Sequence, residues 1–142
     1  MNDSMMLNYI RQNLDMGIEG ITKVIPCAKN PSLKKALEDQ LYEYRELYLE
    51  ADSMLRRGGG EEKNASPMAK LGADIVTEIK CMTSYDDDSK IAEDMIRGTT
   101  NGITKLSRHL GEYKNAKPDI VDLSKKVIRT EEKNVEEMKE YL

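Results

Sequence analysis

Two nearly identical segments lie in opposite halves of this 142-residue chain: Gly20–Val24 reads GITKV, and Gly102–Leu106 reads GITKL. Each segment lies within a helical pattern and is followed by a break that contains a proline, at Pro31 and at Pro118. A second amphipathic helix begins after each break. The sequence therefore predicts one helix hairpin used twice, which makes a helical bundle with pseudo-two-fold symmetry.

The composition fits one helical domain over residues 1–142. The chain has no Trp and no Phe, so aliphatic side chains and Tyr must fill the core. A net charge of −4 without a basic stripe argues against a nucleic-acid partner. No apolar run approaches the ~18 residues of a membrane span, and the first residues lack the layout of a signal peptide. We therefore expect a cytoplasmic protein with no membrane partner.

The two cysteines, Cys27 and Cys81, lie far apart in the sequence. Neither belongs to a CxxC motif or to a Cys/His spacing typical of zinc sites. Because the chain lacks a signal peptide, we expect both to be reduced thiols in the cytosol.

Apolar residues at three- and four-residue spacing predict five helices and no strand. The predicted bounds are about 4–25, 30–57, 67–82, 89–114 and 118–142. Asp3 or Ser4 is expected to cap the first helix, and Asn30 the second, with Pro31 at its first position.

The connector over residues 58–88 determines the predicted topology. Each long helix spans ~40 Å, and a short turn at its end can join only antiparallel neighbours. A connector of this length can instead return along the bundle. The sequence therefore predicts two antiparallel hairpins joined by a long crossover that carries a short extra helix beginning after Ser66.

In this pattern the chain resembles the ferritin-like superfamily, and more closely a group of small uncharacterised bacterial proteins. The resemblance is carried by the GITK segments and by Glu43–Glu46, Met95–Thr100 and Glu131–Asn134. It implies an all-α, ferritin-like four-helix bundle over nearly the whole chain. It implies no particular activity, because none is clear for this group.

Di-iron proteins of that superfamily take a Glu from each of two helices and a Glu-x-x-His motif from each of the other two. This chain has one histidine, His109, and Leu106 stands three residues before it. We therefore expect no di-iron chemistry and no cofactor. The predicted function is non-enzymatic, through partner binding or a homo-oligomer such as a dimer. The alternative is a metal-binding protein with a degenerate carboxylate-rich site, for which Glu19 and Glu131 are the candidate ligands.

Glu131 shares the apolar stripe of the last helix with Ile128 and Val135. A buried carboxylate is costly unless it is bonded or protonated. It could be a remnant metal ligand. Alternatively, it bonds a core phenol such as Tyr44 or tilts to solvent, and this second interpretation is favoured. The bond to the phenol predicts that Tyr44 and Glu131 meet in the bundle and that Tyr44→Phe destabilises the protein.

Two further features have competing interpretations. His109, with Glu112 three residues on, is expected to form a surface pair rather than a catalytic group. Glycines in mid-helix are costly, and those at Gly98 and Gly102 lie at the same depth as Gly17 and Gly20. Close helix–helix packing is the favoured explanation, and a small-molecule pocket is the alternative.

Overall fold

The computed structural model describes residues 1–58, Cys81, Tyr85 and residues 87–142. In these residues the protein is all-helical, with four long helices and no strand. The helices are α1 (Asp3–Val24), α2 (Pro31–Arg57), α3 (Asp88–Glu112) and α4 (Pro118–Lys139), and a 3₁₀ turn over Ile25–Cys27 follows α1. The short helix predicted after Ser66 lies outside the described residues.

Side-chain caps set the starts of three of the helices. The Asn30 side chain accepts a hydrogen bond from the Ser32 N–H at 2.8 Å, and Pro31 takes the first position of α2, as predicted. The cap of α1 is Asn2 rather than Asp3 or Ser4, since its side chain accepts from the Met5 N–H at 2.8 Å. Asp87 caps α3 in the same way.

The apolar stripes predicted for α1 and α2 form the core. Their buried members are Leu7, Ile10, Leu14, Ile18, Ile21, Leu33, Leu37, Leu41, Tyr44, Tyr48, Ala51 and Leu55. In α3 the buried positions are Ile91, Ala92, Met95 and Leu106, with none between Met95 and Leu106. Leu142, the last residue of the predicted fifth helix, is 64% exposed because it lies beyond the end of α4. The middle of α3 is therefore the part of the bundle that packs least.

Cross-helix contacts give the directions of α2 and α4. Arg11 on α1 pairs with Asp52 near the end of α2 at 3.1 Å, so α1 and α2 are antiparallel. Gln40 bonds Glu137 at 2.8 Å, and Lys126 bonds Glu50 at 3.4 Å. The higher residue number on α2 is matched by the lower one on α4, so these helices are antiparallel as well.

Contacts of α3 complete the arrangement. Asn13 reaches the Gly102 carbonyl, and Tyr113, just after α3, bonds Asp3 at the start of α1. Helix α3 is therefore antiparallel to α1 and parallel to α2. The Asp88 carboxylate accepts bonds from the backbone N–H groups of Lys29 and Asn30 at 2.9 and 2.8 Å. Thus α3 begins beside the α1–α2 turn, and α2 ends at the opposite end of the bundle.

Cys27 and Cys81 form a disulfide, with their Cα atoms 4.9 Å apart. The prediction of two reduced thiols was therefore wrong. Spacing arguments failed because a separation of 54 residues in sequence says nothing about proximity in the fold. Of the helices in the described parts of the chain, none is long and apolar enough to cross a membrane.

Candidate ligand-binding cavity

A cavity of about 660 Å³ lies between α1 and α3, at the level of the two GITK segments. We call it the α1–α3 cavity. Its walls include Gly17 and Gly20 on α1, and Gly98 and Gly102 on α3. It occupies the stretch of α3 in which no side chain is buried, which explains the interruption in that helix's apolar stripe.

The four glycines have two different surroundings. A Cβ atom added at Gly20 or Gly98 would meet no atom of the described residues within 4 Å. A Cβ atom at Gly17 would lie 2.8 Å from Cε2 of Tyr44, and one at Gly102 would lie 2.7 Å from Oδ1 of Asn13. Gly17 and Gly102 therefore make room for side chains. The close helix–helix packing predicted for Gly20 and Gly98 is not formed, and these two positions face open space.

Three side chains with polar ends, Asn13, Tyr44 and Glu131, form what we call the cavity floor. The Asn13 amide donates to Oε1 of Glu131 at 2.9 Å and to the Gly102 carbonyl at 3.3 Å. Glu131 is only 4% exposed. Burial raises the pKa of Glu131 to about 8, while the bond from Asn13 acts in the opposite direction. At neutral pH this carboxyl is therefore mostly protonated and can donate a hydrogen bond.

The Tyr44 hydroxyl is buried and has no hydrogen-bond partner among the described residues. Burial, and secondly the charge of Glu131, raise its pKa well above the ordinary value. Asn134 and Thr99 lie close enough to oppose that rise in pKa, but the geometry completes no bond. Asn134 is itself 1% exposed, and both atoms of its amide lack partners in the described part of the chain.

The structure brings Tyr44 and Glu131 into one cavity, but without a hydrogen bond between them. Asn13 takes the place of the phenol as the partner of Glu131. Sequence analysis passed over Asn13, although its spacing from Gly17 and Gly20 puts all three on one face of α1. An amide on a glycine-rich helix face was the available signal.

The two candidate metal ligands are not brought together. Glu19 is exposed and pairs with Lys23 at 3.0 Å, and it does not line the cavity that holds Glu131. Within the residues that the structure describes, no three His, Cys, Asp or Glu side chains lie close enough together to hold a metal ion.

His109 also lines the cavity, and its ring stacks on that of Tyr9 with centroids 3.6 Å apart and an interplanar angle of 5°. Its predicted partner Glu112 is present at a long 3.9 Å from Nδ1. Nδ1 is buried and has no hydrogen-bond partner in the described ranges. The stack on Tyr9 was not predicted, because it joins residues at opposite ends of the sequence.

The exposed mouth of the cavity carries an excess of positive charge. Lys105 and Arg108 on α3 are both exposed, and neither has a carboxylate partner within the described part of the chain. Among the described residues of the lining, the acidic residue besides Glu131 is Asp94. It is already engaged by Arg97, Lys90 and the Tyr85 hydroxyl. The mouth is therefore suited to an anionic group near Lys105 and Arg108.

Comparison with known proteins adds the family and the fold. Residues 3–112 match the family described as "Domain of unknown function (DUF2383)". The fold is similar to the crystal structure of a conserved hypothetical protein, rv2844, from Mycobacterium tuberculosis. The two share 12% sequence identity, with a TM-score of 0.71 and full coverage of both chains. At this identity the likeness concerns the fold alone. No curated protein matches the sequence.

Proposed function

For a chain that belongs to the family of domains of unknown function DUF2383, we propose the function of a non-enzymatic binding protein. In this proposal the protein is a ferritin-like four-helix bundle that holds a small organic ligand in the α1–α3 cavity. The parallel course of α2 and α3, with an antiparallel hairpin on either side, supports the ferritin-like part of the proposal.

The observation that carries the binding function is the open space in the α1–α3 cavity at Gly20 and Gly98, where an added Cβ atom would meet no described residue within 4 Å. The Glu131 carboxyl, which Asn13 holds on the cavity floor, supplies a polar group for a ligand. Ligand pockets measure about 300–1,000 Å³ and combine mostly apolar walls with a few convergent polar groups. The α1–α3 cavity fits this description in its size and in its floor.

Glu131 is treated as a binding group rather than a catalytic one. A carboxyl with a pKa of about 8 could act as a general base at neutral pH, because its pKa lies close to the surrounding pH. Catalysis would also require a second reactive group oriented beside it. The bonded neighbour of Glu131 is the Asn13 amide, which neither accepts nor releases a proton in this range.

A cavity-filling variant tests the proposal. Gly98→Leu places a side chain in open space and should fold normally, and Gly111→Leu makes the same change on α3 outside the cavity. Thermal unfolding is followed with a panel of fatty acids, mononucleotides and aromatic acids. At least one compound should stabilise wild type and Gly111→Leu but not Gly98→Leu. Equal stabilisation of all three proteins, or of none, contradicts the proposal.

A homo-oligomer remains a second proposal. Tyr42 is 49% exposed and Leu49 is 57% exposed, and their seven-residue spacing puts them on one outer face of α2. Sedimentation of wild type and of Tyr42→Ser/Leu49→Ser tests it, because a dimer formed through this face should dissociate in the variant.

The alternative of a carboxylate-rich metal site retains Glu131 as its candidate. Elemental analysis of protein purified without chelator tests that alternative.

A further inference from the structure

We propose that the α1–α3 cavity takes a planar aromatic ligand that carries an anionic group. The ring system lies between the glycine faces of α1 and α3, and its charged group lies at Lys105 and Arg108. This inference rests on the proposed function and names the class of its ligand.

Packing within the protein does not explain two of the cavity glycines, Gly20 and Gly98. A glycine inside a helix costs about 1 kcal/mol relative to alanine. At Gly17 and Gly102 that cost is offset, because a methyl group would collide with Tyr44 or with Asn13. At Gly20 and Gly98 a methyl group would meet none of the residues that the structure describes. An occupant that approaches the backbone at both positions accounts for these two glycines.

The positions of the glycines on α1 and α3 indicate the shape of that occupant. Gly17 and Gly20 are three residues apart, and Gly98 and Gly102 are four apart, so each pair lies on one face of its helix. Tyr44 and Asn13 fill the space at Gly17 and Gly102, but at Gly20 and Gly98 neither helix presents a side chain to the cavity, so each helix has one shallow wall there. A flat ring system fills such a slot with contacts on both of its faces, whereas a flexible chain gains nothing from matched walls.

The chemistry of the cavity lining also favours an aromatic ligand. The stacked rings of Tyr9 and His109 provide an aromatic surface against which a further ring can pack edge-to-face or offset. On the floor, the oxygen of the Asn13 amide is an acceptor and the protonated Glu131 is a donor. Ring nitrogens and carbonyl oxygens of a heteroaromatic ligand would pair with these groups.

Two basic residues, Lys105 and Arg108, indicate where the anionic group of the ligand lies. Lys105 and Arg108 are three residues apart on α3, so both can reach one group at the mouth. Neither has an acidic partner among the described residues. A phosphate or carboxylate on the ligand would supply that partner and would form charge-assisted hydrogen bonds.

The test uses three defined probes on the full chain. Flavin mononucleotide is planar and anionic, riboflavin has the same ring without the phosphate, and dodecanoate is anionic without a ring. Flavin binding is measured by fluorescence and dodecanoate binding by calorimetry. Wild type should bind flavin mononucleotide about tenfold more tightly than riboflavin, the ratio that one charge-assisted contact supplies. Lys105→Gln/Arg108→Gln should abolish this difference.

The glycine argument is tested with Gly20→Ala/Gly98→Ala, with Gly111→Ala as the matched control outside the cavity. The double variant should lose at least about tenfold in affinity for both flavins. Its unfolding midpoint should nevertheless rise, since alanine favours the helix. Gly111→Ala should bind both flavins as wild type does. A purely structural role for these glycines would not combine greater stability with weaker binding.

Three results would overturn the inference. Failure of flavin mononucleotide to bind is one, and undiminished flavin binding by the double glycine variant is another. The third is dodecanoate binding in the cavity more tightly than either flavin. In that last case, loss of dodecanoate binding in Gly98→Leu would leave the proposed function standing. If none of the three probes binds wild type, the inference fails, and the wider panel tested on wild type and Gly98→Leu decides the proposed function.

Discussion

At the residue scale, Glu131 is the group whose chemistry departs furthest from its behaviour in water. Its pKa rises from 4.5 to about 8, and burial is the main cause. The folded state therefore binds more protons than the unfolded chain between these two values. The stability that comes from protonating Glu131 is complete below pH 4.5, and it is lost as the pH rises through 8.

Glu131→Gln should remove this pH dependence, because the amide cannot ionise and its oxygen can still accept from Asn13. Near pH 5 the variant should be about as stable as wild type. Near pH 8 it should be the more stable of the two, by a margin of order 3 kcal/mol. Urea unfolding at several pH values measures this, with the exposed neighbour change Glu132→Gln as the control. Parallel curves for wild type and Glu131→Gln would refute the assignment.

Tyr44→Phe should leave the protein equally stable or raise its free energy of unfolding by about 1 kcal/mol. The change removes a buried hydroxyl that has no partner, and it keeps the ring in the core. Sequence analysis predicted the opposite sign, from a bond to Glu131. Denaturant unfolding decides between them, with Tyr42→Phe on the exposed surface as the control. A clear loss of stability would mean that the hydroxyl bonds Asn134 or Thr99 in solution.

Part of this site could be predicted from the sequence. Glu131 could be placed inside the bundle because its spacing from neighbouring apolar residues fixes the face on which it lies. Its partner could not be identified, because Asn13, Tyr44 and Asn134 all carry polar atoms at about that depth. The choice among them depends on rotamers and on the separation of helices, which residue spacing does not determine.

At the element scale, α1 carries two glycines with opposite surroundings. Gly17→Ala should destabilise the protein by about 1–2 kcal/mol, since the new methyl group would meet the buried Tyr44 ring at 2.8 Å. Gly20→Ala, three residues away, should stabilise it by up to about 1 kcal/mol. Thermal or denaturant unfolding of the two variants provides the comparison. The same sign of change for both would show that Tyr44 can move aside.

Helices α1 and α2 were the most predictable elements, because an unbroken stripe and a proline or glycine boundary define each. Helix α3 was harder. The three- and four-residue spacing continues through Thr99 and Ile103, but the buried residues of the helix lie only on either side of that stretch. Periodicity identifies the inward face of a helix, but it does not show whether a neighbour fills the space opposite that face.

At the scale of the whole molecule, the Cys27–Cys81 disulfide closes a long loop of the chain. Its reduction should lower the free energy of unfolding by about 2–4 kcal/mol, mainly by releasing the unfolded chain. Urea unfolding with and without reductant measures the effect, and Cys27→Ala/Cys81→Ala should not respond to reductant. Detection of two free thiols in the native protein would contradict the bond.

The two bonds donated by Asn13 pass from the α1–α2 hairpin to the α3–α4 hairpin, so the cavity exists only while the hairpins are docked. Thermodynamic linkage then requires an occupant of the cavity to oppose their separation. Some amide hydrogens exchange only when the hairpins separate. A ligand in the cavity would slow the exchange of these hydrogens in all four helices together, including turns far from the ligand. A compound bound to an outer surface would leave that exchange unchanged.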